Sequence, residues 1–167
     1  MKQLKILAKS PPEYGSKLFS ETFPSDISLK NPLIEKIMSS LKEKGFLDEE
    51  EDEVWTRLCV DEVLVNAIKH GNKEDKNKKV DVALFTDKNL WAIRVEDEGN
   101  GFSDKDIPDV TSEEYWEAEH GRGILLMQSY MDEVWYYDKG NRVQLKKMKK
   151  TWLQKVINKV LVFFKLK

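Results

Sequence analysis

The sequence predicts an α+β fold, a two-layer sandwich in which helices pack on one face of a mostly antiparallel mixed sheet. Two long segments carry apolar residues at helical spacing, and five shorter segments alternate or cluster as strands do. The last four of these strands come in adjacent pairs around short turns, which favours antiparallel pairing. The 167 residues are 40% apolar and 35% charged, the balance of one globular domain with its own core.

The first half of the chain supplies one strand and two helices. Residues 16–23 alternate as a strand does, and Pro24 ends it. Apolar residues at helical spacing follow, and Gly45 closes this first helix. The acidic run 48–53 favours the start of a second helix through the helix dipole, and Gly71 ends that helix.

The second half supplies two hairpins separated by a loop and a third helix. The first hairpin pairs strands 79–86 and 90–96, and the second pairs strands 134–137 and 142–148. Between them, a polar, turn-like segment precedes a helix over 121–130. Two long helices beside such hairpins give the predicted two layers.

Charge is distributed unevenly along the chain. Ten of the 28 Lys and Arg residues lie in 139–167, which contains no acidic residue, so 1–138 carries 18 basic and all 30 acidic residues, a net charge of −12. Apolar residues recur at helical spacing after residue 150, so we predict one domain over 1–148 and a basic amphipathic C-terminal helix over 149–167. That helix would pack on its own domain or in a homodimer, lie peripherally on an anionic membrane, or dock in the groove of a protein partner.

The remaining composition indicates a cytoplasmic protein. Its single cysteine, Cys59, excludes an internal disulfide framework and fits a reducing compartment. No apolar run approaches the roughly 20 residues of a membrane span, and no signal peptide is visible. We expect no direct contact with nucleic acid.

The first segment with distinctive chemistry lies in the second predicted helix. Glu62 and Asn66 are four residues apart, so they share one helix face. An amide oxygen is a hard ligand suited to Mg²⁺ beside phosphate oxygens, and a carboxylate one turn away can accept a proton from an attacking hydroxyl or water. The spacing alone equally fits an ordinary exposed helix face.

The second segment, with Asp97, Gly99 and Gly101, follows a predicted strand. A carboxylate at a strand end can accept a hydrogen bond from an exocyclic amine such as that of adenine. Two glycines just after it let the backbone lie against a flat ring. Taken alone, this pattern also fits a tight turn.

The third segment places Gly121 and Gly123 at the start of the third predicted helix. The free N–H groups and the dipole of a helix start form an anion site, although an ordinary glycine hinge has the same pattern. The segment is neither a dinucleotide fingerprint nor a Walker loop, because it lacks Gly-x-Gly-x-x-Gly and Gly-Lys-Ser/Thr.

In order and spacing, the three segments resemble the nitrogen box and the two glycine boxes of the gyrase, histidine-kinase and MutL ATPase superfamily. The closer resemblance is to the stand-alone bacterial anti-sigma-factor serine kinases, and residues 131–134 (Met-Asp-Glu-Val) extend it. It covers about Ser16 to Met148. The resemblance implies the histidine-kinase-like ATPase fold, with ATP and Mg²⁺ as ligands.

The resemblance also implies roles for single residues. Glu62 matches the catalytic general base, and Asn66 matches the residue that holds Mg²⁺ between the phosphates. Asp97 matches the carboxylate that reads adenine, Gly101 matches the glycine that faces the ring, and Gly99 belongs to the same ATP-binding box.

At the phosphate end, the resemblance makes 102–120 a short lid and Gly121 and Gly123 a turn that faces the phosphates. Arg122 would either add a cation there or point to solvent, and Ile124 completes the ATP-binding set.

The chain departs from the family pattern in its last hairpin. Many relatives carry a Thr after the hairpin glycine, where it helps to read adenine, whereas here Asn141 follows Gly140. Asparagine can still form a hydrogen bond, but with different geometry.

The implied function is an ATP-dependent serine kinase that phosphorylates a small antagonist protein and controls a sigma factor by partner switching. Two alternatives stay open. One is a regulatory interaction module that binds ATP, or no nucleotide, without phosphotransfer. The other is the ATP-binding half of a histidine-kinase-like system, which is disfavoured because no helical phosphoacceptor segment precedes the domain in the sequence.

Overall fold

The structure is a computed structural model that describes residues 6–7, 13–101, 119–151 and 153–154. Its strands are β1 (Ile6–Leu7), β2 (Ser16–Pro24), β3 (Lys79–Thr86), β4 (Leu90–Asp97), β5 (Glu133–Tyr137) and β6 (Arg142–Met148). Its α-helices are α1 (Lys30–Glu43), α2 (Glu50–Val65) and α3 (Glu119–Tyr130). A 3₁₀ turn (Ile27–Leu29) precedes α1, and a π-helical segment (Asn66–Gly71) continues α2.

The strands form one sheet in the order β1-β5-β6-β4-β3-β2. Four of its strand pairs are antiparallel and β1 pairs with β5 in parallel, so the predicted mostly antiparallel mixed sheet is confirmed. Both predicted hairpins are present, with Val80 opposite Asp97 in the first and Glu133 opposite Lys146 in the second. The sequence interpretation missed β1, because two residues are too few to show an alternating pattern.

The core lies between the helices and the face of the sheet that they cover, which makes the two predicted layers. The apolar stripe of α1 is buried as its spacing predicts: Leu33, Ile34, Ile37, Met38 and Leu41. On the sheet, buried side chains that face this layer include Val82, Leu84, Ile93 and Leu145, and Cys59 of α2 is fully buried among them. Burial raises the pKa of the Cys59 thiol to about 12, so this residue is a core side chain.

Two helix boundaries differ from the predicted ones, and both differences bear on the site. The second helix does reach Gly71, but from Asn66 onward it is π-helical, with the Asn72 N–H bonded to the Ala67 carbonyl at 2.9 Å. Glu119 and His120 already belong to the third helix, so Gly121 does not open it. The last two residues of the predicted lid are therefore helical, and 102–118 lie outside the described residues.

After β6, the C-terminal part of the chain passes the start of α2 and is held there by Lys150. The Lys150 ammonium lies 2.7 Å from the buried Asp52 carboxylate and 3.4 Å from that of Glu49. The next residues form a capping box, in which Thr151 N–H bonds to Gln154 Oε1 at 2.8 Å and Gln154 N–H bonds to Thr151 Oγ1 at 3.3 Å. The rest of the predicted C-terminal helix lies outside the described residues, and no described helix is long and apolar enough to cross a membrane.

Candidate functional site

The site is built on the segment in which α2 changes to π-helical geometry. Glu62 lies in the last turn of α2, and Asn66 begins the π-helical segment four residues later. Both side chains are half-buried. Short π-helical segments occur frequently at functional sites, because they displace side chains from regular α-helical positions.

At one end of this segment, Glu62 contacts the third helix. Its carboxylate lies against the buried backbone of Gly123, so that a Cβ at Gly123 would overlap Glu62 Oε2 and lie 2.9 Å from Glu62 Cδ. A side chain at this position would displace the Glu62 carboxylate. The structure therefore brings the predicted base to the predicted phosphate-facing segment, from distant regions of the chain.

Among the residues next to Gly123, only Ile124 has a side chain whose surroundings the structure describes. Ile124 is 9% exposed and belongs to the core, so it supports this end of the site from within. Gly121 and Arg122 are described only as members of α3, and the two alternatives for the Arg122 side chain stay predictions. Asn66 is joined to Glu62 through the backbone, because the Asn66 N–H donates to the Glu62 carbonyl oxygen.

At the other end of the segment, Gly71 contacts Asp97, the last residue of β4. A Cβ at Gly71 would lie 2.5 Å from Asp97 Oδ2, so glycine is required for this approach too. The Gly99 N–H donates to Asp97 Oδ1 at 2.8 Å. Asp97 is only 9% exposed, and this burial raises its pKa to about 6 although the Gly99 N–H opposes the rise.

The glycines after Asp97 hold the chain close to two other loops. A Cβ at Gly99 would overlap the Gly71 carbonyl oxygen, and a Cβ at Gly101 would overlap the Lys139 carbonyl oxygen. Gly101 also has φ +72°, a left-handed conformation that glycine adopts readily. Gly99 and Gly101 therefore let residues 97–101 pack closely against the backbone at Gly71 and Lys139, beside a buried carboxylate.

Replacing Gly101 with Ala is expected to destabilise the fold by about 3 kcal/mol, from the left-handed backbone and the overlap with Lys139. Gly45→Ala is the matched control, because Gly45 has φ +70° but its Cβ would meet first the flexible Lys149 ammonium, at 3.2 Å. The control should lose only about 1 kcal/mol. Urea unfolding measures both, and equal losses would show that residues 97–101 are not held against the last hairpin as described.

Two buried asparagines lie beside Asp97 at this end of the site. Asn141 Nδ2 donates to the Asp97 carbonyl oxygen at 2.6 Å, and Asn72 Oδ1 accepts from the Glu98 N–H at 2.8 Å. The sequence interpretation marks Asn141 only as a departure from the family pattern, and it does not mark Asn72. No pattern in the sequence could have found these roles, because both depend on residues brought together by the sheet.

The residues present fit an adenine nucleotide. Asp97 supplies a buried acceptor of the kind that could bind the adenine amine, and the glycines bring the backbone at Gly71 and Lys139 close to it. A nucleotide whose base lies at Asp97 would extend along the helical segment towards Glu62 and Gly123.

Comparison with known proteins agrees with this geometry. Residues 23–147 match the family model of the histidine kinase-like ATPase domain. The chain is 33% identical over 93 residues to serine-protein kinase RsbW of Bacillus subtilis, covering 52% of this chain and 56% of RsbW. It is 33% identical over 108 residues to the anti-sigma F factor of Geobacillus stearothermophilus, covering 60% of this chain and 73% of that protein. It is also similar to the anti-sigma F factor of Clostridium perfringens, with 28% identity over 155 residues, 89% of this chain and 96% of the relative.

The match thus spans little more than half of RsbW but nearly all of the clostridial factor. The family model covers the sheet from the end of β2 to β6 and both ends of the site. The fold, the order of the three segments and the ATP-binding geometry agree with one another. The chain therefore belongs to the histidine kinase-like ATPase domain family, and within it to the anti-sigma-factor serine kinases.

Proposed function

We propose that this protein is an ATP-dependent serine kinase that phosphorylates a small antagonist protein and controls a sigma factor by partner switching. The observation that carries the proposal is the contact of the Glu62 carboxylate with the Gly123 backbone. In this proposal Glu62 is the proton acceptor at the phosphate end of a segment whose other end contacts Asp97, the proposed reader of adenine. The names of the relatives, a serine-protein kinase and anti-sigma factors, support the choice of substrate and partner.

In this proposal Glu62 acts as the general base. It accepts the proton of a serine hydroxyl on the antagonist while that oxygen bonds to the γ-phosphorus of ATP. The bond from that phosphorus to the bridging oxygen breaks, and ADP leaves with the electron pair. Asn66 would hold Mg²⁺, which when bound neutralises charge on the phosphate oxygens.

The ends of the segment are separated by a suitable distance. Glu62 and Gly71 are nine residues apart, which corresponds to at most roughly 14 Å along the helix axis, because the π-helical part rises less per residue than an α-helix does. An extended nucleoside triphosphate spans such a length from base to γ-phosphate. Homodimer formation, a cytoplasmic location and the role of the C-terminal helix stay predictions beside this proposal.

Replacing Asn66 with Ala is expected to weaken binding of Mg-ATP by about a hundredfold, because the metal would lose its protein ligand. Calorimetric titration with ATP, in Mg²⁺ and in EDTA, measures the effect, and the loss should appear only with Mg²⁺. Asn89→Ala is the control, because Asn89 is exposed in the turn of the first hairpin. Unchanged Mg-ATP affinity in Asn66→Ala would contradict the assignment of the metal ligand.

The same titration tests the proposal as a whole. Millimolar ATP that fails to bind the wild-type protein would exclude a kinase. ATP binding without transfer to any serine of the antagonist would favour the alternative of a regulatory module without phosphotransfer.

A further inference from the structure

Both ends of one peptide group are held by buried asparagine side chains. This peptide joins Asp97 to Glu98, and its carbonyl oxygen accepts from Asn141 Nδ2 at 2.6 Å. Its N–H donates to Asn72 Oδ1 at 2.8 Å. Asn141 is 7% exposed and Asn72 is fully buried, so water does not compete for either bond.

These bonds lie where the regular sheet stops. Strand β4 runs between β3 and β6, and its last paired residues are Asp97 on the β3 side and Glu96 on the β6 side. Beyond that point the side-chain amides replace the strand partners, because an amide offers a donor and an acceptor as a peptide does. Asn72 extends this role to β3, where its Nδ2 donates to the Lys79 carbonyl oxygen at 2.8 Å.

Holding this peptide limits the rotation of the backbone at Asp97. The Asp97 N–H is bonded to the Asn141 carbonyl oxygen at 3.0 Å, so the peptide groups on both sides of Asp97 are held. The direction of its Cα–Cβ bond is then set by the two asparagines and not by the Asp97 side chain. The carboxylate is directed to the space between Gly71 and Gly99.

We infer that Asn72 and Asn141 are positioning residues for adenine recognition, which act by fixing the peptide after Asp97. The inference rests on the proposed nucleotide site and adds to it residues that do not themselves read the base. It also gives a reason for the asparagine at position 141, where many relatives carry a threonine. The Asn141 amide reaches the Asp97 carbonyl oxygen directly.

The test compares ADP with IDP, in which an oxygen replaces the 6-amino group. That amino group is the proposed donor of a hydrogen bond to Asp97. In Asn72→Ala and Asn141→Ala, ADP affinity should fall about tenfold while IDP affinity stays near wild type. In an Asp97→Asn background, neither alanine variant should lose more ADP affinity, because the positioned carboxylate is already absent. Asn77→Ala is the control, since Asn77 is exposed and its side chain bonds to Asp75.

Two aspartate variants test the inference if the alanine variants do not fold. Asn72→Asp keeps the acceptor for the Glu98 N–H and should keep the preference for ADP, whereas Asn141→Asp loses the donor to the Asp97 carbonyl and should lose that preference. Equal losses of ADP and IDP affinity, or a full additional loss in the Asp97→Asn background, would overturn the inference. Failure of the wild-type protein to bind ADP would overturn the proposed nucleotide site, and the inference with it.

Discussion

Replacing Asp97 with Asn is expected to weaken ADP binding about a hundredfold and, at the same time, to stabilise the unliganded protein. The amide cannot replace the ionised acceptor for the adenine amine, because its NH₂ group presents donors. It does remove a buried carboxyl group whose charged form is disfavoured, as its pKa of about 6 indicates. At neutral pH, the rise of that pKa from 3.8 means that the charged carboxylate destabilises the folded protein by roughly 3 kcal/mol.

The stabilisation should depend on pH in a defined direction. Between about pH 4 and pH 6 the folded protein holds a proton on Asp97 that the unfolded chain has released. The contribution of Asp97 to the free energy of unfolding is therefore present at low pH and is lost as the pH rises through about 6. The gain from Asp97→Asn should therefore be largest above pH 6 and small near pH 4. Urea unfolding at pH 5 and pH 8 measures it, with the exposed Asp87→Asn as control. A destabilised Asp97→Asn protein at pH 8 would show that the folded state favours the charged carboxylate.

The second large effect is expected for Glu62→Gln, which should slow phosphotransfer by about 10²- to 10⁴-fold. The amide has the shape of the carboxylate and still fits against Gly123, but it cannot accept the serine proton. ADP affinity should therefore stay within about threefold of wild type, because the variant removes an interaction of the transition state. Mass spectrometry of the phosphorylated antagonist, under single-turnover conditions, measures the rate.

Asp61→Asn is the matched control for this variant. Asp61 precedes Glu62 on α2, but its carboxylate pairs with Lys30 at 2.5 Å, away from Gly123. The control should transfer phosphate at close to the wild-type rate. A Glu62→Gln protein as active as this control would exclude Glu62 as the base, and a variant that lost ADP binding would assign Glu62 to binding.

Much of the fold followed from residue spacing. The stripe from Leu33 to Leu41 predicted α1, and alternating residues predicted both hairpins, because these patterns reflect one buried face. The change to π-helical geometry at Asn66 could not be predicted, because Glu62 and Asn66 remain one turn apart in either geometry. Strand β1 forms only because β5 is present as a partner.

The site shows the same division. Glu62, Asn66 and Asp97 could be selected from the sequence because their motifs follow one another in the order and spacing of a known family, whereas each motif alone also fits an ordinary structural role. Asn72 could not, because its significance is a bond to a residue 26 positions later, at the end of a different hairpin strand. A side chain that acts by binding the backbone of a distant residue leaves no pattern in the sequence around it.

The attachment of Lys150 to Asp52 bears on how a partner would reach the site. Asp52 lies in the first turn of α2, and Glu62 lies in its last turn, roughly 15 Å along the same rigid helix. The chain after Lys150 therefore starts from a fixed point on the helix that carries Glu62. A protein held by that C-terminal segment would meet Glu62 at a raised effective concentration, set by the length of the tether and not by free diffusion.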